Sequence, residues 1–349
     1  MKTPNKRLAL VTLLLIMTYG ASSTLAQTVK TARFLRPEGL ALDSKGNLYV
    51  VDSGHGQIRK ITPDGSVSSL AGGAPDRGGP DGRNTDGTGN EARFENPHYI
   101  AIDGADNLYV TALYGDRIRK ISPAGVVSTV TKETREVCGI AVDSAGNIYF
   151  AGLGMIRKIT SDGVVETLAG KLGSGEKSVD GTGSAARFGS PGGVALDSAN
   201  NVYVTDGYTI RKITPAGVVT TIAGMSSKHG YVDGTGSAAR FYGPTYIAVD
   251  NANNLYVSDQ GTIRKITPDG VVSTVAGKPG LTIFDGGFKR PSGLAVDKAG
   301  NIYVGDSDVQ VIRKITAAGV ASTLAGKLGI SDEEQERAIQ EDENRRHGR

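Results

Sequence analysis

The sequence has no tryptophan, a single cysteine and four histidines. One cysteine excludes an internal disulfide. The absence of tryptophan excludes repeat architectures built on a signature tryptophan, such as those named after a Trp-Asp dipeptide. The main apolar run, residues 8–17, is shorter than the roughly 20 residues that a membrane-spanning helix needs.

Glycine, in contrast, is abundant: 49 of 349 residues, about twice the usual share of roughly 7%. It shows no three-residue period, which excludes collagen. Hydrophobic residues make up 38% of the chain, so an intrinsically disordered protein is also excluded.

The first 26 residues have the pattern of a cleaved secretory signal. Lys2, Lys6 and Arg7 precede the apolar run, and small residues before Gln27 provide a cleavage site. The alternative is an uncleaved N-terminal anchor. We therefore predict a secreted or periplasmic protein with no membrane span after signal cleavage.

Removing that segment changes the charge balance. It holds three of the 39 basic residues and none of the 36 acidic ones, so the formal net charge of +3 falls to zero. A neutral exported chain lacks the cationic surplus that nucleic-acid binding requires, and we exclude that class of partner.

A repeat dominates the rest of the chain. The string Ile-Arg-Lys-Ile starts at residues 58, 118, 156, 210, 263 and 312. Each copy follows an apolar-Ala-apolar-Asp segment and an Asn-apolar-Tyr segment, and a valine-rich stretch comes after it. Four short apolar runs per unit, separated by Gly- and Pro-containing turns, predict four antiparallel strands.

Six such units predict an all-β, six-bladed β-propeller of four-stranded antiparallel blades. The alternative is a linear solenoid, which would need polar capping units at its ends. The first and sixth units are as regular as the others, which favours a closed ring.

Residues 37–52 and 291–306 carry the phrase Pro-x-Gly-apolar-Ala-apolar-Asp-x-x-Gly-Asn-apolar-Tyr-Val-x-Asp. This phrase resembles the NHL repeat of six-bladed propellers. The linker Asp-Gly-Thr-Gly-x-x-Ala-Arg-Phe at residues 86–94, 180–188 and 233–241 resembles a variant of bacterial exported NHL proteins and of the teneurin propeller. The resemblance covers residues 32–326 and implies the fold more than the function, since the family includes protein-binding sensors, RNA-binding domains and a metal-dependent lyase.

We therefore predict a signal peptide at residues 1–26, a propeller at 27–326 and a charged, mobile tail at 327–349. Ring closure is left open between an added strand from residues 28–31 and side-chain packing alone. Oligomeric state and ligand identity are not indicated by the sequence.

The two faces of the predicted ring differ. The first and third links of each blade share one face and are almost identical in all six blades, whereas the second links and the long crossovers share the other face and vary. We call these the turn face and the crossover face. A small site is expected on the crossover face, because binding residues concentrate in variable loops on a rigid scaffold.

Each innermost strand starts on the crossover face, and its second residue varies most. These positions are Glu38, His98, Cys138, Gly192, Thr245 and Ser292. One hypothesis is that Glu38, His98 and Cys138 converge at the channel mouth and bind a metal such as zinc, with Glu38 and His98 as the main candidates. The alternative is that a position beside a water-filled channel tolerates any residue, and that Cys138 is a small buried hydrophobe. The lyase of the family uses several channel histidines, whereas this set contains only His98.

A second set is the aspartate that follows the second strand, at Asp52, Asp206, Asp259 and Asp306. We expect it to accept hydrogen bonds from the second-link turn. The alternative is a crescent of carboxylates that attracts a cation. The Asp-Gly-Thr-Gly loops lack the residues of phosphate or calcium loops and are expected to be structural turns. The six Arg-Lys pairs are expected to be partly exposed, either paired with aspartates or solvated.

Loop tyrosines complete the candidate set. Tyr114, Tyr208 and Tyr242 are expected to contact an extracytoplasmic protein or glycan. The sequence thus predicts an exported, non-catalytic binding module that works through the crossover face and needs no cofactor. The alternative is a metal-dependent lyase or hydrolase, using zinc or calcium, with its site at the channel mouth.

Overall fold

A computed structural model describes residues 32–73, 84–112, 117–131, 136–173, 178–279 and 287–327. These residues form six antiparallel sheets, and each sheet corresponds to one copy of the repeat. The predicted signal segment, and all but residue 327 of the predicted tail, lie outside the described residues. Within the described part of the chain, no helix is long and apolar enough to cross a membrane.

The strands of each blade follow one another in the sequence. In the first three blades they are β1 (Pro37–Leu42), β2 (Leu48–Asp52), β3 (Gln57–Ile61) and β4 (Val67–Ala71); β5 (Gly87–Thr88), β6 (Pro97–Ile102), β7 (Leu108–Ala112), β8 (Ile118–Ile121) and β9 (Val126–Thr131); β10 (Ile140–Val142), β11 (Ile148–Gly152), β12 (Met155–Ile159) and β13 (Val165–Gly170). In the last three blades they are β14 (Gly181–Thr182), β15 (Pro191–Leu196), β16 (Val202–Asp206), β17 (Thr209–Ile213) and β18 (Val218–Gly224); β19 (Gly234–Thr235), β20 (Pro244–Val249), β21 (Leu255–Asp259), β22 (Thr262–Ile266) and β23 (Val271–Gly277); β24 (Pro291–Val296), β25 (Ile302–Asp306), β26 (Val311–Ile315) and β27 (Ala321–Ala325).

The three Asp-Gly-Thr-Gly loops add a fifth strand to blades 2, 4 and 5. Strands β5, β14 and β19 pair with the outer strands β9, β18 and β23. A short 3-10 turn follows each of them. The loops are therefore structural elements, as the sequence predicted.

The turn face is built from one hydrogen-bonded unit in every blade. In blade 1, Asp43 accepts hydrogen bonds from the backbone N–H of Asn47 at 2.8 Å, from its side-chain amide at 2.6 Å and from the Tyr49 hydroxyl at 3.2 Å. Burial alone would raise the pKa of the Asp43 carboxyl, but these bonds outweigh burial and lower it. The same unit recurs at Asp103, Asp143, Asp197, Asp250 and Asp297.

The core lies between neighbouring blades and repeats with them. A phenylalanine precedes the inner strand in five blades, and the guanidinium of the Ile-Arg-Lys-Ile arginine lies 5.0–5.6 Å from its ring centroid. In blade 3 the equivalent position lies outside the described residues, and Arg157 lies over Phe150 of strand β11 instead. Four of the six arginines are buried more deeply than expected, and Arg59, Arg119, Arg211 and Arg264 pair with aspartates, which is one of the two expected outcomes.

Among the described residues, which do not include 28–31, the ring closes without exchange of a strand between its ends. Blades 1 and 6 each contain four strands of their own, and the inner strands β1 and β24 contact each other. Phe34 is buried in a cluster with Ala325 and Ala295, and the backbone N–H of Lys327 donates to the carbonyl of Ala32 at 3.2 Å. The Ser292 hydroxyl also donates to the carbonyl of Pro37 at 2.7 Å. Among the described residues, closure therefore relies on side-chain packing and a few hydrogen bonds.

Candidate functional site

The position of Gly39 in blade 1, and its equivalent in each other blade, decides what fills the channel mouth. It is glycine in four blades, at Gly39, Gly139, Gly193 and Gly293. A Cβ on Gly39 would lie 2.7 Å from the carbonyl oxygen of His98, because neighbouring inner strands pack backbone against backbone. Glycine is therefore required wherever this close approach occurs.

Blades 2 and 5 break that pattern with tyrosine. Tyr99 and Tyr246 start from blades that lie opposite each other in the ring, and their ring centroids are 4.5 Å apart. The two rings thus meet across the channel axis. The sequence analysis missed both residues, although a glycine position occupied twice by tyrosine was a readable signal.

Glu38 and His98 join this pair. The Tyr246 hydroxyl donates to Glu38 Oε2 at 2.9 Å and lies 3.3 Å from both His98 ring nitrogens. His98 Nε2 is 3.8 Å from the same carboxylate oxygen. The His98 ring also contacts Tyr99 edge-on, with centroids 4.6 Å apart. We call Glu38, His98, Tyr99 and Tyr246 the mouth cluster.

Burial controls the ionisation of the mouth cluster. It raises the pKa of the Glu38 carboxyl, although the Tyr246 hydrogen bond and the charges of Arg290 and Arg36 oppose the increase. Burial, reinforced by repulsion from Arg36 and Arg290, lowers the pKa of His98 to about 4. His98 is therefore a neutral imidazole at neutral pH. The phenol of Tyr246 keeps its proton, because burial raises its pKa well above 10.

Cys138 does not complete a metal centre with Glu38 and His98. Its thiol lies 3.8 Å from the carbonyl oxygen of Glu136, and the side chain packs against the core of blades 3 and 4. Burial raises the pKa of the thiol. Among the described residues, no group of three His, Cys, Asp or Glu side chains could hold a metal. Glu38 and His98 alone fall short of the three or four protein ligands of a zinc site.

A cavity of about 630 Å³ opens beside the mouth cluster. It extends from the cluster towards the crossovers of blades 5 and 6. Its outer part is lined by Tyr231, Thr245, Gln260, Lys289, Arg290 and Asp308. The volume lies within the range of about 300–1,000 Å³ that is typical of small-molecule sites.

A row of aromatic side chains continues outward from the cavity. Tyr231, which lines the cavity, stacks on Tyr242 with ring centroids 5.2 Å apart and an interplanar angle of 9°. Tyr242 contacts His229 edge-on at 4.9 Å, and His229 lies 5.4 Å from Tyr208. We call these four residues the aromatic row. Tyr242 is 40% exposed, so the row is accessible from solvent.

The structure thus brings two of the predicted tyrosines, Tyr208 and Tyr242, into one surface. His229 was not a candidate in the sequence analysis, because the sequence alone does not show which residues a histidine in a long crossover will contact. Tyr114 lies outside the described residues. The predicted binding roles of all three tyrosines stay predictions.

The aspartate that follows the second strand has a structural role, although its donors differ from those expected. Asp206 and Asp259 are fully buried. They accept hydrogen bonds mainly from the crossover that precedes their own inner strand, at the N–H of Ser190 and of Tyr242 and Gly243. The corresponding donors are Leu35 for Asp52 and Lys289 and Arg290 for Asp306. These carboxylates fix the crossovers and do not form an exposed crescent.

Blades 4 and 5 strengthen this arrangement with a buried arginine. Arg211 lies 2.8 Å from Asp206 and 2.8 Å from Asp180 of the Asp-Gly-Thr-Gly loop. Arg264 has the equivalent pairs, at 3.1 Å and 2.8 Å. The crossover that carries His229, Tyr231 and Tyr242, which contacts Asp259 and Arg264, is therefore held by charge-assisted hydrogen bonds.

Comparison with known proteins identifies the repeat. The family model described as NHL repeat matches residues 34–61 and 288–314. The chain is a six-bladed β-propeller that contains NHL repeats. It is 25% identical to teneurin-3 of Mus musculus over 299 residues, which is 79% of this chain and 10% of that protein. It spans about a tenth of the length of the curated relatives it matches.

Solved structures share the fold of the NHL propeller at low identity. An auxiliary nutrient binding protein from Bacteroides thetaiotaomicron superposes with a TM-score of 0.61 and 18% identity, over 83% of this chain and 70% of the other. Virginiamycin B lyase from Staphylococcus aureus superposes with a TM-score of 0.53 and 18% identity, over 84% and 85%. At such identities the likeness concerns the fold alone.

Proposed function

We propose that the protein is an exported, non-catalytic binding module that holds an extracytoplasmic protein or glycan on its crossover face. The observation that carries the proposal is the aromatic row Tyr208–His229–Tyr242–Tyr231, which leads into the cavity. Aromatic side chains supply large contact areas at a low cost in conformational entropy, and they are enriched at binding surfaces.

The rigidity of the row supports this role. The N–H groups of Tyr242 and Gly243 donate to the buried Asp259, and the Tyr231 hydroxyl donates to the carbonyl of Gln260 at 3.1 Å. Tyrosines held in this way lose little freedom when a partner binds, which favours affinity. Among the described residues, the turn face has no comparable row of aromatic rings, and its tyrosine hydroxyls are bound to aspartates in every blade.

The test is affinity capture of proteins and glycans from the native cell envelope on the immobilised propeller. We expect Tyr242→Ala and Tyr208→Ala each to reduce the retained partner about tenfold or more, the loss typical of an interface hot spot. Val164→Ala is the control, because Val164 is 55% exposed but lies on the turn face. Equal retention by all three variants would contradict the proposal.

The second candidate function is a metal-dependent lyase or hydrolase with its site at the channel mouth. The observation in its favour is the Glu38–His98 pair, whose pKa values are shifted in a cavity, since shifted ionisable groups concentrate at active sites. Virginiamycin B lyase shares the fold. Metal analysis of the purified protein separates the two functions: stoichiometric zinc or calcium that is lost in Glu38→Ala and His98→Ala would favour the enzyme over the binding module.

A further inference from the structure

The cavity contains a buried acceptor without a hydrogen-bond donor. Glu38 is 1% exposed, and its Oε2 atom accepts from Tyr246, but its Oε1 atom has no hydrogen-bond partner. The nearest cation, Arg36 Nη2, is 3.8 Å from Oε1, which is beyond hydrogen-bond distance. A buried oxygen left in this state is costly, so a donor supplied by a ligand would stabilise it.

The outer wall of the cavity carries positively charged side chains. Lys289 and Arg290 line it and are exposed. Arg290 pairs with Asp308 at 3.8 Å, whereas no ion pair to Lys289 occurs among the described residues. The cavity lining thus holds two cations and the carboxylates of Glu38 and Asp308, and Arg36 lies beside Glu38 outside this lining. The wall is therefore suited to an anionic group of a ligand.

The remaining lining supports a flat, polyhydroxylated ligand. Tyr231 offers an aromatic ring at the outer end of the cavity, and Thr245 and Gln260 supply polar groups between that ring and the mouth cluster. A pyranose ring has an apolar face that packs on aromatic rings, and its hydroxyl groups both donate and accept hydrogen bonds. One hydroxyl can therefore donate a hydrogen bond to Glu38 while another accepts one from the cationic wall.

From these three features we infer that the cavity binds an acidic saccharide, a short oligosaccharide with at least one uronic-acid unit. A hydroxyl of the saccharide donates to Glu38, its carboxylate pairs with Lys289 and Arg290, and a sugar ring packs on Tyr231. The inference rests on the proposed binding function and narrows its ligand class. A free metal cation fits less well, because Arg36 and Arg290 repel it.

The test is calorimetric titration of the full propeller with oligogalacturonate and, in parallel, with a neutral malto-oligosaccharide of equal length. We expect the acidic probe to bind at least about fivefold more tightly, and the preference to shrink as salt screens the exposed Lys289. Glu38→Ala and Tyr231→Ala should each weaken binding of the acidic probe about tenfold, since the first removes the acceptor oxygen and the second removes the aromatic ring.

A matched pair of lysine variants isolates the charge. Lys289→Gln should weaken binding of the acidic probe by up to about fivefold and leave the neutral probe unaffected. Lys298→Gln, on the turn face, should change neither. Tyr231→Phe, which keeps the ring and removes the hydroxyl, should bind more tightly than Tyr231→Ala.

The outcomes separate this inference from the proposed function. Equal affinity for the two probes, or no binding of either, would overturn the acidic-saccharide inference. If Tyr242→Ala still abolished capture of an envelope protein in that case, the binding module would stand with a different ligand class. If the probes showed no preference and Tyr242→Ala also captured as much partner as the wild type, both proposals would be overturned.

Discussion

The two faces of the propeller are made from the same six repeats, but one face is nearly identical in every blade and the other varies from blade to blade. On the turn face, one Asp-Asn-Tyr unit recurs in every blade with nearly the same hydrogen bonds. On the crossover face, Glu38 and its equivalents are six different residues, and two of the positions equivalent to Gly39 hold tyrosine. Regular repetition therefore marks the scaffold, and departures from it mark the candidate site.

The first prediction concerns scaffold residues that lie on the crossover face. Asp206→Ala should destabilise the protein by about 3–5 kcal/mol, because the fully buried Arg211 loses the buried carboxylate that balances its charge. Asp180→Ala should cost far less, since that carboxylate is half exposed. Chemical denaturation of the two variants measures the difference.

If the two variants had nearly equal stability costs, the scaffold role of Asp206 would be contradicted, because the crossover would then not depend on the buried ion pair. A large loss of stability in Asp206→Ala, with unchanged partner binding per folded molecule, would support that role. The crossover before blade 4, which Asp206 contacts, would then be scaffold that the aromatic row does not need, since Asp259 contacts the crossover of the row.

The second prediction uses the neutral histidine of the mouth cluster. The folded-state pKa of His98, about 4, is below its usual 6.5, so the folded protein binds fewer protons than the unfolded chain in that interval. The stabilisation is complete above pH 6.5 and is lost as the pH falls towards 4. The loss should be at most about 3 kcal/mol.

His98→Gln removes this contribution while Glu38, Tyr99, Tyr246, Arg36 and Arg290 still face the position. The unfolding free energy of the wild type should therefore fall relative to that of the variant between pH 6.5 and 4. Parallel pH profiles would show that His98 is not held neutral by the cluster. Urea titrations at several pH values provide the measurement.

The third prediction tests why the inner strands use glycine. Gly39→Ala should cost about 1–3 kcal/mol, because the new Cβ would lie 2.7 Å from the carbonyl oxygen of His98 and 2.9 Å from the N–H nitrogen of Ile100. Gly104→Ala is the control, since no atom lies within 4 Å of a Cβ built there. Thermal unfolding of both variants checks the expectation, and equal losses would contradict it.

Most of the fold could be predicted from the sequence, because each blade is defined locally. The Ile-Arg-Lys-Ile strings and the turn residues predict the order and pairing of four strands within some 50 residues, but not the short fifth strands β5, β14 and β19. Ring closure was harder to predict from the sequence. Phe34 resembles the other phenylalanines that precede inner strands, but its packing against Ala325 joins the first and last blades.

The candidate site was predicted only in part, because it depends on distances between blades. Glu38 and His98 were found as variable positions, and the structure brings them together, but Cys138 does not join them in a metal-binding group. Tyr99 and Tyr246 meet only because blades 2 and 5 are opposite in a ring of six. The row formed by Tyr242 and His229 depends on the course of one long crossover.

The smallest expected effect tests the turn face itself. Asp43→Asn and Asp197→Asn replace the same carboxylate in blades 1 and 4, and each should cost about 1 kcal/mol at neutral pH. Hydrogen bonds from asparagine and tyrosine, which outweigh burial, lower the pKa of both carboxyls in the folded state. The stabilisation from each is thus present above the unfolded-state pKa near 3.8 and is lost as the pH falls through the folded-state value.

The cost of the two variants should therefore be similar at pH 7 and should shrink in parallel in acid. Neither should alter capture of a partner by the crossover face. Denaturation curves at pH 7 and at progressively lower pH test the equality. A much larger cost in one blade would mean that identical turns contribute unequally to the ring, and sequence regularity would then no longer identify the scaffold.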